Sequence, residues 1–188
     1  MIRSCIFLLA FLALNSCHST SNENNLTGYK LEFWNNSPEA NGWTNDWERL
    51  LTRNQTTNLN RIIDSFKSST GLEIAIITLD TAYTTPDNFM DLASHIHEKW
   101  AITENFKDSG FLICISSGYH MIEILKGEKV KSLLSSDEES KIEETGFVPY
   151  FKKSENYEGI LFGLHELMAN LSPKIQNPNS RKNYPVHK

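Results

Sequence analysis

Residues 69–79 read Ser-Thr-Gly-Leu-Glu-Ile-Ala-Ile-Ile-Thr-Leu, and this stretch decides the fold. Within it, Leu72–Leu79 is rich in β-branched residues and too short for a typical helix, which predicts a buried strand. Gly71 suits the left-handed position that ends many helices. Upstream, Thr52 and Gln55 form a capping-box pattern, and apolar residues then recur at helical spacing. The sequence therefore predicts a helix that ends at Gly71 and leads into a central strand.

The chain beyond this strand predicts a second helix followed by a hairpin. Pro86 is well placed to open the helix. The turn residues 108–110 precede a second apolar strand over Phe111–Ser116, and Ser117-Gly118 is a hairpin signal. Tyr119–Leu125 then returns as a third strand.

Two further helical segments complete the prediction, over Asp137–Glu144 and Tyr157–Leu171. A strand-helix-strand unit implies a parallel pair joined by a right-handed crossover, and the hairpin adds an antiparallel strand. The predicted fold class is α/β: a layered α/β/α domain with a small mixed β-sheet flanked by helices.

The N-terminus has the layout of a secretory signal. Arg3 precedes the apolar run Ile6–Leu14, and small residues lead to Cys17. The run is about half the ~20 residues that a membrane-spanning helix needs. Leu14-Asn15-Ser16-Cys17 resembles the lipobox of bacterial lipoproteins, in which the cysteine is acylated after cleavage. The alternative is an ordinary secretory signal with a cysteine there by chance.

The lipobox interpretation divides the chain into four parts. Residues 1–16 form the signal peptide, and 17–42 form the lipidated cysteine and a polar, flexible tether. Residues 43–171 form the folded domain, and 172–188 form a loose basic tail. The acylated Cys17 anchors the protein to a bacterial membrane on the periplasmic side, and His18 after it favours the outer membrane by analogy with enteric sorting.

Charge and cysteine usage argue against a nucleic-acid-binding protein and against a disulfide-stabilised domain. The formal net charge of -5 gives no reason to expect a nucleic-acid partner. With Cys5 in the signal and Cys17 acylated, Cys114 is alone in the folded part, which therefore has no internal disulfide. Its apolar surroundings predict a buried strand residue and not a reactive thiol.

Several short strings in the folded part resemble the TPM domain family, which has thylakoid and bacterial members. The resemblance covers about Trp43 to Leu171 and rests on the shared order of the strings. They are Thr44-Asn45-Asp46, Ser69-Thr70-Gly71-Leu72-Glu73-Ile74-Ala75, Glu98-Lys99-Trp100, Lys107-Asp108-Ser109-Gly110, Val148-Pro149-Tyr150-Phe151 and Asn156-Tyr157-Glu158-Gly159.

Two loops depart from the family pattern. Trp100-Ala101-Ile102-Thr103 stands where members usually have Trp-Gly-x-Gly. Residues 125–129, Leu-Lys-Gly-Glu-Lys, replace a Gly-Tyr-Gly-Leu-Glu loop. In family members, the glycines of these two loops permit unusual backbone angles and close approach of a ligand. This chain lacks them and is therefore expected to hold a ligand less well there.

The resemblance implies a divalent metal near loop carboxylates, and Asp46, Asp108 and Asp137 are the candidate ligands. Carboxylates are the oxygen ligands that Ca²⁺ or Mg²⁺ prefers. Glu123 is a fourth candidate. The alternative is structural for each aspartate: Asp46 caps a turn, Asp108 is a turn residue and Asp137 is a helix N-cap.

Three functions remain in competition, and the sequence leaves open whether the protein is an enzyme. The first is a lipid-anchored, cation-binding module that supports assembly of an envelope protein partner. The second is a metal-dependent acid phosphatase, an activity attributed to plant relatives. No Cys-x₅-Arg motif, phosphate loop or Ser-His-Asp order supports the second independently. The third is a degenerate structural lipoprotein without a ligand site.

Overall fold

A four-stranded mixed β-sheet forms the centre of the protein. The structure is a computed structural model that describes residues 28–100 and 105–176. The strands are β1 (Thr44–Asp46), β2 (Glu73–Thr78), β3 (Gly110–Ser116) and β4 (Met121–Lys126). They lie in the order β1-β2-β3-β4. The first three strands are parallel, and β4 pairs antiparallel with β3 as a hairpin, so the predicted α/β class is confirmed.

The sheet is flanked by helices of very different length. They are α1 (Tyr29–Asn35), α2 (Arg53–Thr70), α3 (Phe89–Lys99), α4 (Phe106–Ser109), α5 (Ser136–Ile142), α6 (Val148–Phe151) and α7 (Asn156–Gln176). Short 3₁₀ turns cover Pro86–Asn88 and Lys131–Leu133. A π-helical turn over Glu143–Phe147, hereafter the π-turn, joins α5 to α6.

The predicted signals at the ends of α2 are present. Thr52 and Gln55 make the reciprocal capping box, and Gly71 ends the helix with a φ of 78°. Because only glycine adopts this left-handed conformation without strain, the chain turns there directly into β2. All six residues of β2 and all seven of β3 are buried, which is typical of parallel strands covered on both faces.

The core unites the sheet with the apolar faces of the long helices. α2 contributes Leu59 and Ile63, whereas α7 contributes Leu164 and Leu167, all fully buried. Cys114 is also fully buried in β3, and burial raises the pKa of its thiol. The prediction that Cys114 is a buried strand residue is confirmed.

Two domain boundaries differ from the sequence prediction. Residues 28–42 were predicted to belong to a tether, but α1 packs against the domain through Trp34, which is 7% exposed. Trp34 stacks on His95 at 4.8 Å, and the Trp100 indole donates to the carbonyl of Pro38. At the other end, α7 continues to Gln176 beyond the predicted limit of 171. Apolar residues in a polar segment thus extend the folded unit.

The part of the chain that the structure describes contains no helix both long and apolar enough to cross a bilayer. The predicted signal, Cys17 and the first residues of the tether lie outside the described residues, as do Ala101-Ile102-Thr103 and the last part of the tail.

Candidate functional site at the carboxyl edge of the sheet

The three parallel strands end side by side at one edge of the sheet. Asp46 of β1 aligns with Thr78 of β2, and Thr78 aligns with Ile115 of β3. In open α/β sheets, ligands bind outside the carboxyl ends of the strands. This carboxyl edge also carries Glu48 and Asp80 just beyond the strand ends, and is therefore the first place to seek a site.

Asp46 uses both carboxylate oxygens to hold the chain around it. Oδ1 accepts hydrogen bonds from the Thr78 hydroxyl at 2.6 Å and from the backbone N–H of Leu50 at 3.0 Å. Oδ2 accepts from the N–H of Leu51 at 2.8 Å. The carboxylate therefore ties the β1–α2 connection to the end of β2, as the capping alternative for Asp46 requires.

Glu48 clamps the hairpin between β3 and β4. Its two carboxylate oxygens accept from the backbone N–H groups of Ser117 at 2.9 Å and Gly118 at 2.8 Å. Burial raises the pKa of Glu48 above its ordinary value, the two backbone hydrogen bonds oppose this, and the charges of Asp80 and Asp46 add to the rise. The edge thus carries negative charge that its own hydrogen bonds only partly compensate.

A lysine and a tyrosine contact backbone carbonyls of the loop that follows β2 at the carboxyl edge. Lys30 of α1 donates from Nζ to the carbonyls of Thr81, at 2.5 Å, and Thr84. The Tyr119 hydroxyl lies 3.3 Å from the carbonyl of Thr84. Asp80 accepts from the N–H of Ala82 at 2.8 Å. The loop after β2 is therefore fastened by α1 as well as by the hairpin.

Asp108 lies at the opposite, amino edge of the sheet. It belongs to α4, and its backbone carbonyl accepts from the N–H of Lys129 at 2.9 Å. Its carboxylate lies 3.0 Å from Lys129 Nζ, with both side chains more than half exposed. A Cβ on Gly127 would lie 2.3 Å from the Asp108 carbonyl carbon, so a glycine is needed for this close approach.

Asp137 lies in the first turn of α5 and is exposed. The N-cap of this helix is Ser135, which forms a capping box with Glu138. The alternative that made Asp137 the N-cap is therefore wrong by two positions. As an acidic residue in the first turn, Asp137 still interacts favourably with the helix dipole.

The structure does not bring the three candidate metal ligands together. Asp46 is level with Ile115, whereas Asp108 precedes Gly110, and these positions on β3 are roughly 16 Å apart at the usual rise of a strand. A calcium ion holds its oxygen ligands at about 2.3–2.6 Å. Among residues 28–100 and 105–176, no group of three or more His, Cys, Asp or Glu side chains could hold a metal ion.

The described histidines form no chemical site. His95 stacks on Trp34, and His97 is buried beside Phe106 with ring centroids 5.5 Å apart. Burial lowers the pKa of His97, which keeps the ring neutral near pH 7.

Glu48 holds the hairpin at the carboxyl edge but was not among the residues predicted from the sequence. Its position two residues after Asp46 carries no recognised pattern, because its partners are backbone groups in a hairpin about 70 residues away. The one sequence feature that marks Glu48 is an acidic residue just beyond a strand end, and this feature is too common to indicate a site.

The family model for the TPM domain matches residues 44–170, from the start of β1 to near the end of α7. The chain belongs to the TPM domain family. No curated protein matches the chain significantly.

Solved structures share this fold at low sequence identity. The N-terminal domain of a protein from P. gingivalis is 19% identical with a TM-score of 0.63, over 71% of this chain and 84% of that domain. The BA42 protein from the psychrophilic bacterium Bizionia argentinensis is 18% identical with a TM-score of 0.54, over 76% and 89% of the two chains. At such identities, the likeness concerns the fold alone.

Proposed function

We propose that this TPM domain protein is a lipoprotein anchored through Cys17 to a bacterial membrane, where it acts on the periplasmic side as an interaction module for an envelope protein. The observation that supports an interaction module is the hydrogen bonding of the carboxylates at the carboxyl edge. Asp46 and Glu48 each accept hydrogen bonds from backbone N–H groups with both carboxylate oxygens. Because these hydrogen bonds hold the β1–α2 connection and the β3–β4 hairpin in place, the edge is suited to positioning loops for a partner.

The anchor is tested by fractionating cells that express the wild type, Cys17→Ser or Cys5→Ser. The wild type and Cys5→Ser should sediment with membranes, because only Cys17 carries the acyl chains. Cys17→Ser should leave the membrane fraction, since buried acyl chains contribute about 0.8 kcal/mol per CH₂. A Cys17→Ser protein that still sediments with membranes would remove the lipoprotein proposal.

A divalent cation, Ca²⁺ or Mg²⁺, is a second candidate ligand. What favours it is the negative charge at the carboxyl edge, where Asp80 and Asp46 add to the rise in the pKa of Glu48. A cation at a hundred times its Kd would stabilise the native state by about 2.7 kcal/mol. Melting with calcium, magnesium or EDTA should then show a shift that Asp80→Asn reduces, and identical curves would reject the cation.

The module and a metal-dependent phosphatase make opposite predictions for turnover. The purified wild type should release no more phosphate from a simple phosphate monoester than an Asp46→Ala, Asp80→Ala double variant, with calcium or magnesium present. Phosphate release by the wild type that this double variant lacks would favour the enzyme and overturn the module.

A further inference from the structure

The end of the domain that lies nearest the proposed tether carries two exposed apolar side chains. Among residues 28–100 and 105–176, the exposed large hydrophobic side chains are Tyr29, at 76%, Met90, at 56%, and Phe162, at 42%. Tyr29 begins α1 directly after Gly28, and Met90 lies in the first turn of α3. Tyr29 and Met90 are hereafter the apolar pair.

The segment that contains α1 lies beside α3 and runs in the same direction. Near its start, Lys30 donates from Nζ, at 2.5 Å, to a carbonyl of the loop that leads from β2 to α3. Further along, the rings of Trp34 and His95 stack with their centroids 4.8 Å apart. Just after α1, the carbonyl of Ser37 accepts from Lys99 Nζ at 2.6 Å. The contacts therefore advance together along both segments, starting at the carboxyl edge.

The two members of the apolar pair lie at the same level along the two helices. Tyr29 precedes Trp34 by five residues, and Met90 precedes His95 by five residues. Five residues of α-helix advance by about 7.5 Å and turn by about 140°. Because Trp34 and His95 meet between the helices, the side chains five positions earlier point away from that contact. The apolar pair is therefore one outward-facing feature at the starts of both helices.

Aromatic contacts fix α1 in one orientation. Phe33 stacks on Tyr83 with ring centroids 4.2 Å apart, and it meets Trp47 edge-on at 5.3 Å. Since α1 is held in this way, Tyr29 is presented at the surface by the fold itself. A tyrosine combines an apolar ring with a polar hydroxyl and is enriched at the boundary between lipid and water.

We propose that the apolar pair enters the surface of a zwitterionic bilayer and gives the anchored domain one orientation, with the carboxyl edge toward the lipid. The inference rests on the proposed anchor at Cys17. Residues 18–27, which separate Cys17 from Gly28, span no more than roughly 35 Å, so the starts of α1 and α3 stay close to the bilayer. Two side chains alone bind a bilayer weakly, but a tether raises their effective concentration at its surface.

The charges beside the apolar pair favour zwitterionic over anionic lipid. Exposed Glu32 follows Tyr29 by three residues, and exposed Asp87 precedes Met90 by three residues. Positions three apart in a helical segment are neighbours on one face. The negative surface potential of anionic lipid repels these carboxylates, whereas the ammonium groups of phosphatidylethanolamine attract them.

Hydroxyl-radical footprinting of the full-length acylated protein tests the contact on the native side chains. The wild type is placed on vesicles of phosphatidylethanolamine and phosphatidylcholine, and Cys17→Ser free in solution is the reference. Tyr29 and Met90 should lose much of their oxidation on the vesicles, whereas Phe162 of α7 should keep its own. Undiminished oxidation of the apolar pair, or an equal loss at Phe162, would overturn the proposal.

Matched variants test whether the two side chains act together. Tyr29→Asp should restore the oxidation of Met90 on vesicles, because it places a charge in the contact. Phe162→Asp makes a similar change at the other exposed hydrophobic residue and should leave Met90 protected. Protection of Met90 that is unchanged in Tyr29→Asp would refute a joint contact. All three residues are exposed, so the variants should fold.

Flotation of the same vesicles separates the anchor from the contact. A wild type that floats with an unprotected apolar pair keeps the anchor and loses the contact alone, whereas a wild type that does not float loses both. Protection that declines as the protein is diluted over more lipid would assign the surface to a second copy of the chain and overturn the lipid contact. Added phosphatidylglycerol should weaken the protection, and stronger protection there would contradict the zwitterionic surface.

Discussion

Replacement of Asp46 by alanine tests whether this aspartate is a structural cap or a metal ligand. The carboxylate accepts three hydrogen bonds, from the Thr78 hydroxyl and from the backbone of Leu50 and Leu51. Hydrogen bonds to a charged group contribute about 1.5–3 kcal/mol each, and bonds that share one acceptor group are not additive. We expect Asp46→Ala to lower the free energy of unfolding by about 4 kcal/mol. In a domain of this size, that is a fall in Tm of roughly 8–16 °C.

A graded series makes this prediction sharper. Asp46→Asn keeps one acceptor oxygen and should lose about half as much stability as the alanine variant, or roughly 2 kcal/mol. Asp137→Ala removes an exposed aspartate in the first turn of α5, so it should cost less than about 1 kcal/mol. Urea unfolding of all three variants, in EDTA and in calcium, measures these differences directly.

The two explanations of Asp46 differ in their dependence on metal. A structural cap loses the same stability in EDTA and in calcium. If Asp46→Ala costs less than about 1 kcal/mol in EDTA but several in calcium, the carboxylate acts through a bound ion and the capping argument is wrong. If Asp137→Ala abolishes the same calcium effect, the shared metal site predicted from the sequence is restored.

Three further substitutions test the packing. Gly163→Ala places a Cβ 2.3 Å from the Phe147 ring and should cost about 1–3 kcal/mol by urea unfolding; an unchanged midpoint would contradict the close contact. Trp34→Ala should cost about 3 kcal/mol or more by the same assay if α1 belongs to the domain, whereas a tether would give no loss. Asp108→Ala removes an exposed pair with Lys129 and should change Tm by only a degree or two; a large loss would reveal a further role.

The elements that the sequence predicted are those with local signals. The capping box at Thr52 and the glycine at position 71 mark the ends of α2, and continuous apolar runs mark β2 and β3. β1 was missed because Thr-Asn-Asp has no strand pattern. It is a strand only because Thr44 lies beside Ile76 of β2, which is a contact between residues far apart in the chain.

The candidate site shows a similar limit. Asp46 was predicted as a metal ligand, but spacing along the chain does not reveal which edge of a sheet a loop occupies. The sequence therefore grouped Asp46 with Asp108, although the parallel register places them at opposite edges. Glu123 was predicted as a fourth metal ligand, but its electrostatic interaction with Glu139 and Lys126 depends on how α5 lies relative to β4.

The docking of α1 sets how far the domain can stand from a membrane. Because the folded unit begins near Gly28, only residues 18–27 separate it from the proposed anchor at Cys17. Even a fully extended chain of that length reaches no more than roughly 35 Å. Residues 18–42 as a free tether would more than double this limit. With the proposed anchor, the start of α1 therefore stays within roughly 35 Å of the bilayer.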